Sequence, residues 1–279
     1  MEKYAALMID MEKSKSYPAE ERSEIQRFLI EIADKLNKLF GESIECNVIF
    51  SAGDELQGLF KDVMSAIMYF RLFQMLAMPV KFRAGIGIGE WTVRIPGRIS
   101  TQQDGTAYHN ARKAINSVHK KQLSNVIVFS GEDDDMGNYL LNASHELKEQ
   151  QVYKQNLVGT AIELFYPMII GNAENYELDV FAELIQAKFC YEYGRKENEK
   201  IIPMIPNDNK INNFITIDGR INDIEDVIII KNTSSVIASL LGCSRQNVDT
   251  IIKRGFIYKI RQMDYMALTY FYNKYVKNE

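Results

Sequence analysis

Two acidic residues stand where their chemistry would matter. Asp10 closes a short apolar run that begins at Tyr4, and Asp54 sits between two further apolar runs in Ser51-Ala-Gly-Asp-Glu55. Two carboxylates brought within a few ångströms repel and desolvate each other unless a cation lies between them. Mg2+ or Mn2+ suits oxygen donors of this kind and shares its shell with substrate phosphates. Two such ions about 3.5–4 Å apart can activate a hydroxyl and steady a leaving pyrophosphate. The alternative open at this stage is that Asp10 caps a turn and Asp54 merely turns a hairpin. Residues 13–16 read Lys-Ser-Lys-Ser directly after the first acid. Backbone N–H groups there, with Lys13 and the Ser14 hydroxyl, can hold phosphates, and a solvated polar loop is the competing reading.

Local patterns say which elements must position these groups. Residues 4–10 read as a buried strand. Ile25, Phe28, Leu29, Ile32, Leu36 and Phe40 recur at three- and four-residue spacing, which predicts an amphipathic helix over 20–40 closed by Gly41. Residues 44–50 and 56–60 read as strands joined by a hairpin, with Gly53 supplying the permissive backbone. A very apolar helix follows over 62–78, then a strand over 81–89, a helix over 106–118 and a strand over 125–129. This order predicts an α+β, ferredoxin-like βαββαβ-type domain with an addition at its end. Beyond it, 139–167 and 177–196 read as mostly helical, and 202–226, with Pro203 and Pro206, as linker or irregular. The glycines at 85, 87 and 89 do not form a dinucleotide fingerprint, because no strand-to-helix turn follows them at the right place.

Four segments in order carry a resemblance. Asp10 is the first. Phe50-Ser-Ala-Gly-Asp-Glu-Leu-Gln-Gly-Leu-Phe60 resembles the metal-binding hairpin of class III nucleotide cyclases and their GGDEF relatives. Arg83-Ala-Gly-Ile-Gly-Ile-Gly-Glu90 resembles the cyclase strand Arg-x-Gly-Ile-His-x-Gly-Glu, and Asp104-Gly-Thr-Ala-Tyr-His-Asn-Ala-Arg-Lys-Ala114 resembles the cyclase helix ending in Ala-Arg. The resemblance implies a cyclase-like palm domain in which Asp10 and Asp54 bind Mg2+ or Mn2+. It also implies that Arg112 contacts phosphate as the catalytic arginine. Lys13, Ser14 and Gly53 are expected beside the nucleotide. Relatives complete their sites across a dimer, so a homodimer is implied too. The departures are that Tyr108 replaces the ribose-steadying Asn, with Asn110 on another helical face. Phe50 and Thr101 stand where adenylate cyclases carry base-reading Lys and Asp. The chain as a whole resembles the SatD family.

The last fifth differs in charge. Residues 231–279 hold eight Lys/Arg against three Asp/Glu, a balance of +5 that leaves −9 on the rest of a chain of net −4. Ser234-Ser-Val-Ile-Ala-Ser-Leu-Leu-Gly-Cys-Ser-Arg-Gln-Asn-Val-Asp-Thr-Ile-Ile-Lys253 resembles a helix-turn-helix. In such a motif the start of the second helix faces the bases of duplex DNA. Arg245, Gln246 and Asn247 are the right chemical types for base edges, and Lys253, Arg254, Lys259 and Arg261 for phosphates. A protein-docking helical pair is the alternative.

Composition bounds the rest. The 279 residues suggest two domains or one with an appendage. No run of about 18 apolar residues exists and the N-terminus lacks a secretion signal, so no membrane partner is expected. Three scattered cysteines argue against a disulfide framework and point to a reducing cytoplasm. Three scattered histidines, His109, His119 and His145, argue against a histidine-rich metal site. The reading is a cytoplasmic regulator in three parts: a palm over 1–133, a mostly helical connection over 134–230, and a basic helix-turn-helix over 231–279. The palm would bind a nucleoside triphosphate, and either cyclise it or serve as a non-catalytic dimeric sensor.

Overall fold

The computed structural model of the chain describes residues 2–97, 99–121, 123–191, 193, 213–220 and 224–277. It is a mixed α+β protein. Strands β1 (Tyr4–Met11), β2 (Ile44–Ala52), β3 (Glu55–Phe60), β4 (Phe82–Gly89) and β5 (Val126–Phe129) form one sheet in the order β2-β3-β1-β4-β5. The first four are antiparallel neighbours, and β5 joins β4 in parallel. Helices α1 (Ala19–Leu39) and α2 (Val63–Ala77) are the two crossovers of this βαββαβ order.

Both faces of the sheet are covered, which is why β1 is apolar throughout rather than alternating. Ala5, Leu7 and Ile9 pack into the large core with α1 and α2. Tyr4, Ala6 and Met8 pack under α3 (Thr106–Lys120) on the opposite face. Every residue of α2 is buried, so the helix is apolar on all sides apart from Ser65, Arg71 and Gln74, which are buried with it. Its last carbonyls, which no further turn can satisfy, meet buried side chains. Asn156 Nδ2 donates to Met75 O at 3.2 Å, and Lys188 Nζ donates to Leu76 O at 2.9 Å and Met78 O at 2.8 Å.

The glycines of β4 have a packing role that their spacing alone did not disclose. A Cβ at Gly87 would lie 2.0 Å from Ala111 N, and one at Gly85 would lie 2.4 Å from Ile115 N. Alternate glycines on the strand and Ala107, Ala111 and Ala114 on the helix therefore let α3 lie backbone-to-backbone on the sheet.

Side-chain amides close both sheet edges. On α4 (Asp135–Glu149), Asn138 binds both backbone groups of Val128, its Oδ1 accepting from N at 2.8 Å and its Nδ2 donating to O at 2.9 Å. One turn later Asn142 does the same for Val126. On the far edge, Asn37 pairs with Val48 in the same way at an irregularity of β2.

The segment expected to be mostly helical over 139–167 holds most of α4 and all of α5 (Tyr153–Phe165), and just beyond it comes a short parallel pair, β6 (Met168–Ile170) with β7 (Ile215–Ile217). Three-residue strands carry too little alternation to be read locally. Helix α6 (Asp179–Cys190) matches the second helical stretch, whose residues 192 and 194–196 lie outside the described residues. So do 202–212 and 221–223 of the expected irregular stretch; its described later part contains β7 and the beginning of α7 (Ile224–Ile228). Helices α8 (Thr233–Leu241), α9 (Arg245–Arg254) and α10 (Ile257–Tyr275) complete the chain. Among the described residues no single helix is long and apolar enough to cross a membrane.

Arg261 does not serve the surface of the basic tail. It is 1% exposed, paired with Glu163 on α5, and donates to Tyr166 O at 2.7 Å. The expectation that it contacts phosphate is therefore corrected: its charge is spent inside, because α10 packs against α2, α4 and α5 rather than standing free.

Candidate functional site

Strand register assembles the site at one end of the sheet. Asp10 is directly opposite Glu55 on β3 and Arg83 on β4. Asp54 occupies the two-residue turn before Glu55, and Gly53 ahead of it has φ +61°, the left-handed backbone that glycine adopts without strain. The expected carboxylates Asp10 and Asp54 are thus brought to the same sheet end, with Glu55, the residue after Asp54, directly across from Asp10. Burial raises the Asp10 carboxyl above its ordinary range. His119 opposes that rise, the charges of Asp54 and Glu55 add to it, and Arg83 lowers it. A half-buried carboxylate pressed by two like charges is a donor that a divalent cation would relieve. Among the described residues no three His, Cys, Asp or Glu side chains form a ready-made cage.

Helix α3 supplies Arg112 and His119. Because the glycine track lays it along β4, it runs from Gly89 toward Arg83. Arg112 then reaches Glu55 as a bidentate pair, Nη1 to Oε2 and Nη2 to Oε1 both at 2.8 Å. That pairing raises the guanidinium pKa further. Seven residues on, two turns along the same face, His119 places Nε2 3.6 Å from Asp10 Oδ2 and Nδ1 3.3 Å from Arg83 Nη1. Arg83 in turn donates from Nε to Glu12 Oε1 at 3.2 Å. Glu55, Arg83 and His119 were not singled out from the sequence. The signal for His119 was its i+7 spacing from Arg112, and for the other two the strand register.

Other expected site residues fall differently. Lys13 has φ +53° and is exposed at the start of a short 3-10 turn over Ser14–Ser16; its carbonyl accepts from Ser16 Oγ at 2.7 Å. Ser14 is half-buried in that turn. Tyr108 points into the core, its hydroxyl 3.2 Å from Ser100 Oγ, and burial pushes its pKa well up. Asn110 donates to Ile88 O at 2.8 Å, so neither residue presents an amide at the carboxylates.

At the other end of the chain, α7–α8 and α9 meet at 109° across Gly242-Cys243-Ser244, with Gly242 at φ +60°. Ser244 caps α9, its hydroxyl accepting from Asn247 N at 3.2 Å. Val248 and Ile252 are buried, whereas Arg245, Gln246, Asn247, Lys253 and Arg254 are all exposed. Arg245 Nε lies 3.7 Å from Asp249 Oδ2 on the same face.

The SatD family model matches residues 4–189, from the first residue of β1 to the last turn of α6. The chain belongs to the SatD family. The SatD match thus covers the sheet, α1–α6 and the carboxylate site, and ends before α7–α10. No curated protein sequence matches the chain. Among solved structures, one titled as a bacterial light-regulated adenylyl cyclase is similar at 13% identity and a TM-score of 0.33, over 45% of this chain and 74% of that one.

Proposed function

We propose that this SatD-family chain is a nucleotide-binding regulator. Its sheet-end carboxylates hold a divalent cation for a triphosphate, and its α8–α9 pair docks on duplex DNA. The observation that carries the first half is the convergence of Asp10, Asp54 and Glu55 with Arg112 and Arg83 at one sheet end: carboxylates for a cation beside arginines for phosphate. Asp10 and Asp54 are the ligands for Mg2+ or Mn2+, which when bound would neutralise phosphate charge. Arg112 exchanges Glu55 for a phosphoryl oxygen, and Lys13, Ser14 and Gly53 border the phosphates. The DNA half is supported by α9, whose exposed face combines Arg245, Gln246 and Asn247 at the N-terminal end with Lys253 and Arg254 at the other. In this reading 1–133 is the nucleotide part, 134–230 the connection and 231–279 the DNA-facing part, working as a homodimer in the cytoplasm.

Incubation with each ribonucleoside triphosphate and Mg2+ or Mn2+ is the test, read by melting temperature and by mass spectrometry of products. Cation and triphosphate together should raise the melting temperature, and the D10N/D54N double variant should lose that response. An unchanged response in the double variant overturns the site. A cyclic product would make the protein a nucleotide cyclase. The burial of Tyr108 and the engagement of Asn110 favour a second reading, a non-catalytic sensor, in which binding persists and no product forms. For the DNA half, a salt titration on duplex should show a steep fall of affinity. In the full-length protein R245A should relax sequence preference by about 1–3 kcal/mol, and K253A should weaken all sequences alike. No binding at low salt would make α8–α9 a docking element. Light scattering at micromolar concentration tests the dimer.

A further inference from the structure

We infer that His119 is a positioning residue for Asp10: Arg83 holds it in the tautomer that carries hydrogen on Nε2, and that N–H is aimed at one carboxylate oxygen, leaving the other for a cation. The inference rests on the reading of Asp10 as a cation ligand.

The geometry supplies the tautomer. Arg83 Nη1 lies 3.3 Å from His119 Nδ1, and a guanidinium has donors only, so Nδ1 must be the accepting nitrogen. The neutral ring then carries its hydrogen on Nε2, which faces Asp10 Oδ2 at 3.6 Å. That separation is about half an ångström beyond a hydrogen bond. Arg83 is itself oriented by Glu12, Nε to Oε1 at 3.2 Å. The result is a chain Glu12–Arg83–His119–Asp10 whose first two links are hydrogen bonds and whose last is the longer 3.6 Å approach. Glu12 and Asp10 come from the end of β1, Arg83 is the register partner of Asp10 on β4, and His119 arrives on α3. The ring reaches this place because Gly85 and Gly87 admit α3 directly onto the strand; a helix held one side chain further out would carry it away from the carboxylate. Groups that orient a ligating side chain typically change metal affinity about 10–100-fold when removed.

Two measurements on the full-length protein test this. In the first, long-range proton–nitrogen NMR of 15N-histidine-labelled protein at mildly alkaline pH reads the tautomer. The chain has three histidines, so the H119Q spectrum identifies the His119 signals by their loss. The Nε2–H form alone is expected in the wild type, and an admixture of the Nδ1–H form in R83M; a wild type with a substantial Nδ1–H population overturns the proposal. In the second, Mg2+ or Mn2+ alone is titrated against melting temperature. H119A should weaken the cation about tenfold, and H119Q, whose amide N–H replaces the ring donor, should recover most of it. A wild-type cation response in H119A, or no recovery in H119Q despite an unchanged cation-free melting temperature, also overturns it. If the wild type shows no cation response, the reading of Asp10 and Asp54 as ligands fails instead. The tautomer then still decides the Arg83–His119–Asp10 chain.

Discussion

Arg71 Nε on α2 lies 2.5 Å from Asp264 Oδ2 on α10, although the two residues are 193 positions apart. The helix after the hairpin that carries Asp54 is thereby keyed to the last helix of the chain. Around the pair, Ser144 and Lys148 from α4 also donate to Asp264, and Arg71 shares Glu163 with Arg261. Charges this deeply buried are tolerable only because each has its partners.

Removing one acid should therefore be costly throughout the molecule. D264A leaves Arg71, Lys148 and Ser144 without their shared acceptor and should cost about 3–5 kcal/mol. Urea unfolding followed by far-UV dichroism should show a single transition at a lower midpoint. A loss below about 1 kcal/mol, or separate melting of the last helix, would contradict the coupling.

The glycine track makes a second, sharper expectation. In G87A the new Cβ would meet Ala111 N at 2.0 Å and Ala107 O at 2.2 Å, both backbone atoms that cannot step aside. Destabilisation of about 3 kcal/mol or more is expected. At Gly53 nothing lies within 4 Å of the added carbon, so G53A should cost only about 1 kcal/mol for its left-handed backbone. Equal losses in the two variants would mean that α3 does not depend on the track.

The amide cover of β5 predicts a change in association. N142L strips the partners from Val126 N–H and C=O and from Asn125 N–H. It should cost about 1–3 kcal/mol and expose a sheet edge able to pair with another chain. Concentration-dependent association in sedimentation beyond the wild type's own state is the measurement; an N142L with the wild type's sedimentation and unchanged stability would count against it.

Lys188 predicts a pH dependence. Burial pushes its amine down from 10.5 to about 7. Between those values the unfolded chain holds a proton that the folded chain has lost, so this group makes stability rise with pH across the window. K188M should flatten that rise. Denaturation midpoints measured from neutral to alkaline pH should diverge between the two proteins, and parallel profiles would contradict the shift.

Much was legible before any coordinates. Periodicity placed β1, α1, the β2–β3 hairpin, α2, β4, α3 and β5, because alternation and three-to-four spacing report which side of a segment is dry. The same patterns put Asp10 at a strand end and Asp54 in a turn. They do not report which distant segment supplies the dry surface. That is a matter of pairing and register, and it decided the rest. Glu55 and Arg83 flank Asp10, His119 ends beside it, and Tyr108 turns inward to Ser100. Arg261, one of eight cations in a basic tail, is buried on Glu163 because α10 folds back onto α2 and α5. Residue type and spacing determine what a side chain can do, whereas only the packing of remote elements determines what it meets.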